Sequence, residues 1–257
     1  MGGKGIGATL RGRGNQLLSM ARLAIGLRRF ERTGQVGDGR EAAAREYVLT
    51  HATAGDPDSV LATIDEFART RSMLVNVGDE KGLLLDAAVR KTRPKLLLEL
   101  GTYCGYSAVR IGRLLDSGAR LVSVEFSAAN AEVARAIIAH AGLSDRVTVL
   151  VGTIGDGGET MHRLALDHGF DSGTVDLIFL DHAKEAYLAD LRTILAAGWL
   201  RAGTMVVADN VRVPGVPDYR AYMRTEEGTS WRTVEHDTHV EYQSILKDLV
   251  LESEYLG

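Results

Sequence analysis

Three hard-oxygen side chains stand at the ends of two apolar runs. Asp181 closes Val175-Asp176-Leu177-Ile178-Phe179-Leu180, and Asp209, with Asn210 beside it, closes Gly203-Thr204-Met205-Val206-Val207-Ala208. Two carboxylates and an amide oxygen suit Mg²⁺, whose octahedral shell water or substrate completes. Either aspartate alone reads as a turn or cap residue; the pair with its amide neighbour carries the metal reading. His182 is left out of that set, because a lone histidine more often packs or hydrogen-bonds, and is placed near the cofactor. Lys184 lies three residues beyond Asp181. A lysine beside a divalent cation and partly out of water gives up its proton more readily, which makes it a candidate general base. The bland alternative is a solvated lysine at a helix start.

A second cluster surrounds Lys95-Leu96-Leu97-Leu98-Glu99-Leu100-Gly101-Thr102-Tyr103-Cys104-Gly105-Tyr106-Ser107. It reads as a buried strand, a tight turn between Gly101 and Gly105, and a helix opening at Ser107, a ligand cradle at the carboxyl end of a sheet. The spacing is G-x-x-x-G, not the G-x-G-x-x-G of dinucleotide binders. Glu99 would set a negative charge beside the ligand, which is wrong for phosphates and right for an ammonium. Leu121-Val122-Ser123-Val124-Glu125 is a further strand ending in a carboxylate, where a ribose diol is commonly held. The alternative is that Glu125 caps the helix beginning near Ser127.

These strand ends need a scaffold, and the rest of the chain supplies one. Strands at 95–100, 121–125, 146–151, 175–181 and 203–209 alternate with helices at 128–141, through Met161, Leu164 and Leu166, and at 186–197, which predicts a doubly wound, mostly parallel α/β sheet. Segments 231–236 and 242–249 are expected as a closing antiparallel pair. Three helices precede the first strand, at 41–51, from Asp56-Pro57 with aspartate as cap and proline at the first position, and at 83–92. Between the last two, 73–82 reads as a loop with exposed apolar residues.

Composition bounds the function. A chain of 257 residues, 45% hydrophobic and 25% charged, is an ordinary globular protein. One cysteine, Cys104, rules out an intrachain disulfide and any thiolate zinc site, and fits a reducing, cytoplasmic setting. Residues 1–40 carry Lys4, Arg11, Arg13, Arg22, Arg28, Arg29, Arg32 and Arg40 against Glu31 and Asp38, a balance of +6 in a chain whose net charge is −4. The remaining 217 residues are therefore at −10, which argues against nucleic acid as the partner. We read 1–40 as a basic Gly/Arg-rich extension, with 35–39 as linker, and 41–257 as the functional domain. Within the extension, 16–30 has the pattern of a helix too short to span a bilayer; it either packs on the body or makes weak contact with a membrane surface.

At this point the chain resembles a known family. Asn76-Val77-Gly78-Asp79-Glu80-Lys81-Gly82, Glu99 through Arg110, Leu180-Asp181-His182-Ala183-Lys184 and Ala208-Asp209-Asn210-Val211 are similar, in matching order, to catechol O-methyltransferase. The resemblance implies a class I, Rossmann-like methyltransferase fold, a seven-stranded sheet whose last strand is antiparallel. It implies S-adenosylmethionine as donor, Mg²⁺ as metal and a small catechol-type acceptor. It places Asp181, Asp209 and Asn210 on the metal, Lys184 as base, and Glu241 on the acceptor's second hydroxyl. The cofactor set it implies is Val77, Glu99, Gly101, Tyr103, Ser107, Glu125, Phe126, Gly152, Asp181 and His182. Where the family's familiar members carry tryptophans this chain has Met73 and Ala183, and Ile154-Gly155 replaces a serine–glutamine pair, so a roomier acceptor pocket is expected. Rival readings are a cation-dependent enzyme acting on a phenylpropanoid or other vicinal diol, a non-catalytic cofactor binder, and a dinucleotide oxidoreductase. The metal triad with Lys184 opposes the last two.

Overall fold

The computed structural model describes residues 19, 22, 25, 26, 28–243 and 245–257. After a helical stretch that includes residues 28–33 come three helices: α1 (Arg40–His51), α2 (Pro57–Thr70) and α3 (Gly78–Thr92). Asp56 caps α2 as expected, its carboxylate accepting from the Asp58 and Ser59 N–H groups. Then follow β1 (Leu96–Leu100), α4 (Tyr106–Gly112), β2 (Arg120–Glu125), α5 (Ala128–His140), β3 (Val147–Val151), α6 (Glu159–His168) and β4 (Val175–Leu180). The chain closes through a short turn at Lys184–Ala186, α7 (Tyr187–Ala196), β5 (Leu200–Ala208), α8 (Pro217–Thr225), β6 (Trp231–His239) and β7 (Lys247–Tyr255).

The seven strands lie in the order β3-β2-β1-β4-β5-β7-β6. The first five are parallel, and β7 is antiparallel to both β5 and β6. Alternation along β1 builds two core layers. Leu97 faces α1 to α5, and Leu96, Leu98 and Leu100 face α6, α7 and α8. All five β1 residues are buried, the expectation for a central parallel strand covered on both faces. The strand order reverses between β1 and β4, so their carboxyl ends flank a crevice.

Three local readings are corrected. Helix α3 begins at Gly78, five residues before the expected start, because Asn76 Oδ1 accepts from the Gly78 N–H and Asp79 and Glu80 favour a first turn. Leu74 and Val77, expected as exposed loop residues, are buried in the core. The last strand is Lys247–Tyr255, displaced from 242–249, because Val240–Leu246 forms the turn from β6. Helix α8 was not anticipated at all.

Residues 35–39, read as a linker, and Gly34 before them lie against the body. The Asn130 amide donates to the Gly34 carbonyl, and the Val36 N–H donates to Glu41 Oε1. Most of residues 1–27, including much of the interfacial-helix reading at 16–30, lies outside the described residues; 28–33 are helical. Among the described residues no helix is long and apolar enough to cross a membrane.

The sheet's hydrogen-bond ladder runs on past the strands into the crevice. Gly101 N–H donates to Val124 O, Asp181 N–H to Leu100 O, Asp209 N–H to Leu180 O and Gly152 N–H to Glu125 O. Gly101 has φ +99°, and a Cβ there would lie 2.4 Å from the Asp181 carbonyl oxygen. Gly101→Ala should therefore lower stability by at least about 2 kcal/mol, through backbone strain plus overpacking. Urea denaturation checks this, and an unchanged midpoint would show that the turn can relax.

Candidate active site

Each acid anticipated at a strand end is found there, and nearly all are withdrawn from water. Glu99 is 0% exposed, Glu125 3% and Asp209 0%. Glu99 accepts from the Ser123 hydroxyl through Oε2, while its Oε1 is buried without a partner. Burial pushes this carboxyl up to about 7, against the pull of the Ser107 and Ser123 hydroxyls. A buried oxygen with no donor is costly unless a ligand supplies one. The chemistry that fits is an ammonium.

Glu125 Oε2 accepts from the Tyr103 N–H at 2.8 Å and Oε1 from the Ser127 N–H at 2.9 Å. The second bond reaches Ser127, just ahead of α5, and none of the helix's first-turn N–H groups. Each oxygen keeps a lone pair for a hydroxyl donor. Tyr103 has a left-handed backbone (φ 47°), and its phenol donates to Glu41 Oε1 at 3.0 Å. Phe126 is half-exposed beside Gly34, and Val77 is buried at the start of α3. A Cβ on Gly152 would collide with the Thr160 hydroxyl, 2.0 Å away. Ser107 is buried in the first turn of α4.

The expected metal ligands are brought to neighbouring strand ends. Lys184 Nζ donates to Asp181 Oδ1 and to the Tyr187 hydroxyl, both at 2.8 Å. The Tyr187 oxygen lies 2.9 Å from Leu180 O and 3.2 Å from Asp209 O, so a buried phenol braces the lysine from beneath. Asp209 Oδ1 accepts from the Asn210 N–H, and Asp209 Oδ2 is buried without a partner. Asn210 sits at φ 55° and turns its Nδ2 to Glu241 Oε1 (3.1 Å) and Asp248 Oδ2 (3.0 Å). Among the described residues nothing donates to Asn210 Oδ1 or Asp181 Oδ2. Bare oxygens on Asp181, Asp209 and Asn210 are the hard donor set that Mg²⁺ takes, so these residues fit the ion. His182 stays off this set: its Nε2 lies 3.0 Å from Asp190 Oδ2 and its ring stacks on Tyr187.

Three residues of the site escaped the sequence reading of single positions. Lys81 is 1% exposed, with Nζ 2.7 Å from Asp209 Oδ1, 3.0 Å from Asp248 Oδ2 and paired with Glu241. Burial opposes its charge, but the three acids hold the ammonium well above the ordinary lysine range. Burial likewise pushes Asp209 up, against the pull of Lys81. Asp248 stays below the ordinary carboxylate range: burial opposes its charge, and Lys81 with the Leu249 and Val213 N–H groups overcomes it. Tyr242, at φ 57°, places its hydroxyl 2.9 Å from both Asp65 Oδ1 and Asn76 Oδ1, tying the β6–β7 turn to α2 and the start of α3. An apolar pattern marks none of the three, since each is a polar residue in a loop, a helix start or a strand start. A cleft of about 340 Å³ opens here, lined by Arg69, Val77, Gly78, Lys81, Glu241 and Tyr242 among others.

Glu99 makes a pH prediction. Its carboxyl lies near 4.5 when unfolded and about 7 when folded, so the folded state holds the extra proton in between. That contribution is fully present below pH 4.5 and is lost as pH rises through 7, about 3 kcal/mol in all. Glu99→Gln should remove it, so the ligand-free variant gains on the parent by about that amount between pH 4.5 and 8. Denaturant curves at the two pH values, on both proteins, measure the gap; a gap independent of pH would refute the raised carboxyl.

Comparison with known proteins agrees with this geometry. Residues 98–211 match the family described as a methyltransferase domain. The chain is 63% identical over 235 residues to the "Probable O-methyltransferase" of Mycobacterium tuberculosis, spanning 91% of this chain and 100% of that one. It is 46% identical over 210 residues to catechol O-methyltransferase B of Danio rerio, spanning 82% and 76% of the two chains. With catechol O-methyltransferase of Mus musculus the identity is 41% over 214 residues, spanning 83% and 78%. The solved O-methyltransferase of Bacillus cereus, in complex with SAH, superposes with a TM-score of 0.61 at 23% identity, over 83% of this chain and 97% of that one. That likeness is one of fold, the Rossmann-like class I methyltransferase sheet. Sequence and fold together show that this chain belongs to the catechol O-methyltransferase-like family of O-methyltransferases.

Proposed function

We propose that this protein transfers the methyl group of S-adenosylmethionine to one hydroxyl of a catechol, in a reaction that requires Mg²⁺. The observation that carries the reading is the buried, unpartnered Oδ2 of Asp209 at the strand ends that also bring Asn210, and Asp181 with Lys184 bonded to it. When bound there, Mg²⁺ would make a coordinated hydroxyl more acidic and fix the direction of its oxygen. Lys184, in its unprotonated form, receives the hydroxyl's proton as the oxygen gains the methyl group and the sulfonium becomes a neutral thioether. Glu241, with Oε1 committed to Lys81 and Asn210, offers Oε2 to the second hydroxyl.

On the donor side, Glu99 takes the ammonium of the methionine portion and Glu125 the ribose hydroxyls, with Val77, Gly101, Tyr103, Ser107, Phe126, Gly152 and His182 around them. Gly101 allows close approach, as its turn already touches the Asp181 backbone. Holding donor and acceptor in line can supply about 7–11 kcal/mol of barrier lowering. One observation favours a wider acceptor range: Ala183 is exposed and presents no aromatic wall at the crevice. A vicinal-diol phenylpropanoid is the second reading on that ground. The domain division at residue 40 and a cytoplasmic setting belong to the same proposal.

Two measurements test it. Methyl transfer assayed over catechols, phenylpropanoid diols and monophenols should occur only with vicinal diols and stop on complete chelation of divalent ions. Turnover that survives chelation, or monophenols that serve equally well, would remove the metal-bound diol. Lys184→Met should slow transfer by about 10²- to 10⁴-fold while calorimetric affinity for S-adenosylmethionine stays within about twofold. A rate undiminished across the pH range would remove Lys184 from its role.

A further inference from the structure

The acidic pocket beside the proposed metal ligands already contains a cation. Helix α3 delivers Lys81 into it from one side; Asp209 arrives from the end of β5, Asp248 from β7 and Glu241 from the β6–β7 turn. One oxygen from each of the three acids lies within 4.8 Å of the others, and all three residues are withdrawn from solvent. Such a convergence is a donor set for a divalent ion. Here a tethered ammonium, whose three N–H donors match the three acceptors, stands at its centre.

Asp209 is divided between two neighbourhoods. Its Oδ1 faces Lys81 and its Oδ2 is bare. Asn210 is divided the same way: its amide nitrogen turns to Glu241 and Asp248 on the lysine side, which leaves its carbonyl oxygen for the other. Two-metal centres in enzymes place their ions about 3.5–4 Å apart on shared carboxylates, and Asp209 has the position of such a shared ligand.

We propose that Lys81 permanently fills what would otherwise be a second divalent-cation site, so that the centre takes one metal ion, between Asp181, Asp209 and Asn210. Lys81 is thereby a positioning residue: it touches neither donor nor acceptor and acts through Asp209 and Glu241, fixing which oxygen each turns to the reaction. The inference rests on the proposed Mg²⁺ requirement for the first ion only.

The test is Mn²⁺ stoichiometry on the full chain, stripped with chelator and titrated by electron paramagnetic resonance of the free ion. The parent should bind one ion per chain and Lys81→Met two, the added ion being lost again in Lys81→Met/Asp248→Asn. In chelator, Lys81→Met should melt about 10 °C below the parent, because three buried acids lose their counter-charge, and saturating Mn²⁺ should recover most of that shift. A parent that binds no ion while Lys81→Met binds one would sink the Mg²⁺ reading and leave the role of Lys81 supported. Equal stoichiometry in parent and Lys81→Met overturns the proposal, as does a parent that binds two ions. If Lys81→Met unfolds in chelator, refolding with Mn²⁺ decides: recovery with the extra ion supports the second site, and failure to recover overturns it.

Discussion

Buried negative charge is the condition around which this molecule is arranged. Glu99, Glu125, Asp209 and Asp248 are all nearly or wholly removed from water along one edge of one sheet. Each such charge costs several kcal/mol in desolvation unless something answers it. Some answers are internal: backbone N–H groups for Glu125, Lys81 for Asp209 and Asp248. Others are missing, at Glu99 Oε1 and Asp209 Oδ2. The unanswered oxygens fall at Glu99 and Asp209, the two places where the proposed function puts an ammonium and a metal ion.

The scaffold tolerates this because its core is built without reference to the acids. Two layers of aliphatic and aromatic side chains cover the sheet, and the strand ends emerge from them already fixed by the final rungs of the hydrogen-bond ladder. The N-terminal side adds a brace. Glu41 Oε1 gathers the Tyr103 phenol and the Val36 N–H, so helix α1 and the segment before it are joined to the turn that would hold the donor. A second brace runs through Asp65, which meets the hydroxyls of Tyr106 and Tyr242 and so links α4 to the β6–β7 turn.

The parts of this that sequence made legible are those with a local cause. Apolar runs ending in acid, a glycine pair around a turn and Asp-Pro at a helix start each act over a few residues, and β1, β4, β5 and α2 fall where those signals put them. Lys81 and Asp248 have no such signature. Lys81 follows two acids in a first helical turn and looks solvated, and Asp248 is a lone acid ahead of an apolar run, paired with Thr238 of the neighbouring β6. Their meeting spans 167 positions of sequence and exists only once α3 and β7 are both in place. The start of α3 is hidden for a related reason: the Gly78 N–H is taken by Asn76 Oδ1, a polar residue set among apolar neighbours. Glu125 shows a different case: its strand end is where the apolar run put it, and its oxygens are held by the Tyr103 and Ser127 N–H groups.

The contact between Gly101 and the Asp181 carbonyl has a consequence for how such a protein can change over evolutionary time. The turn that would cradle the donor and the strand end that would carry a metal ligand touch through main chain, with no side chain between them. Their separation is therefore a property of the sheet and is not open to adjustment by ordinary substitution. The residues that the proposed function sets around the acceptor are of another kind: Met73 and Ala183 lie outside the strands. Under that proposal they can be exchanged without moving the alignment, so a change of acceptor would be a matter of loops.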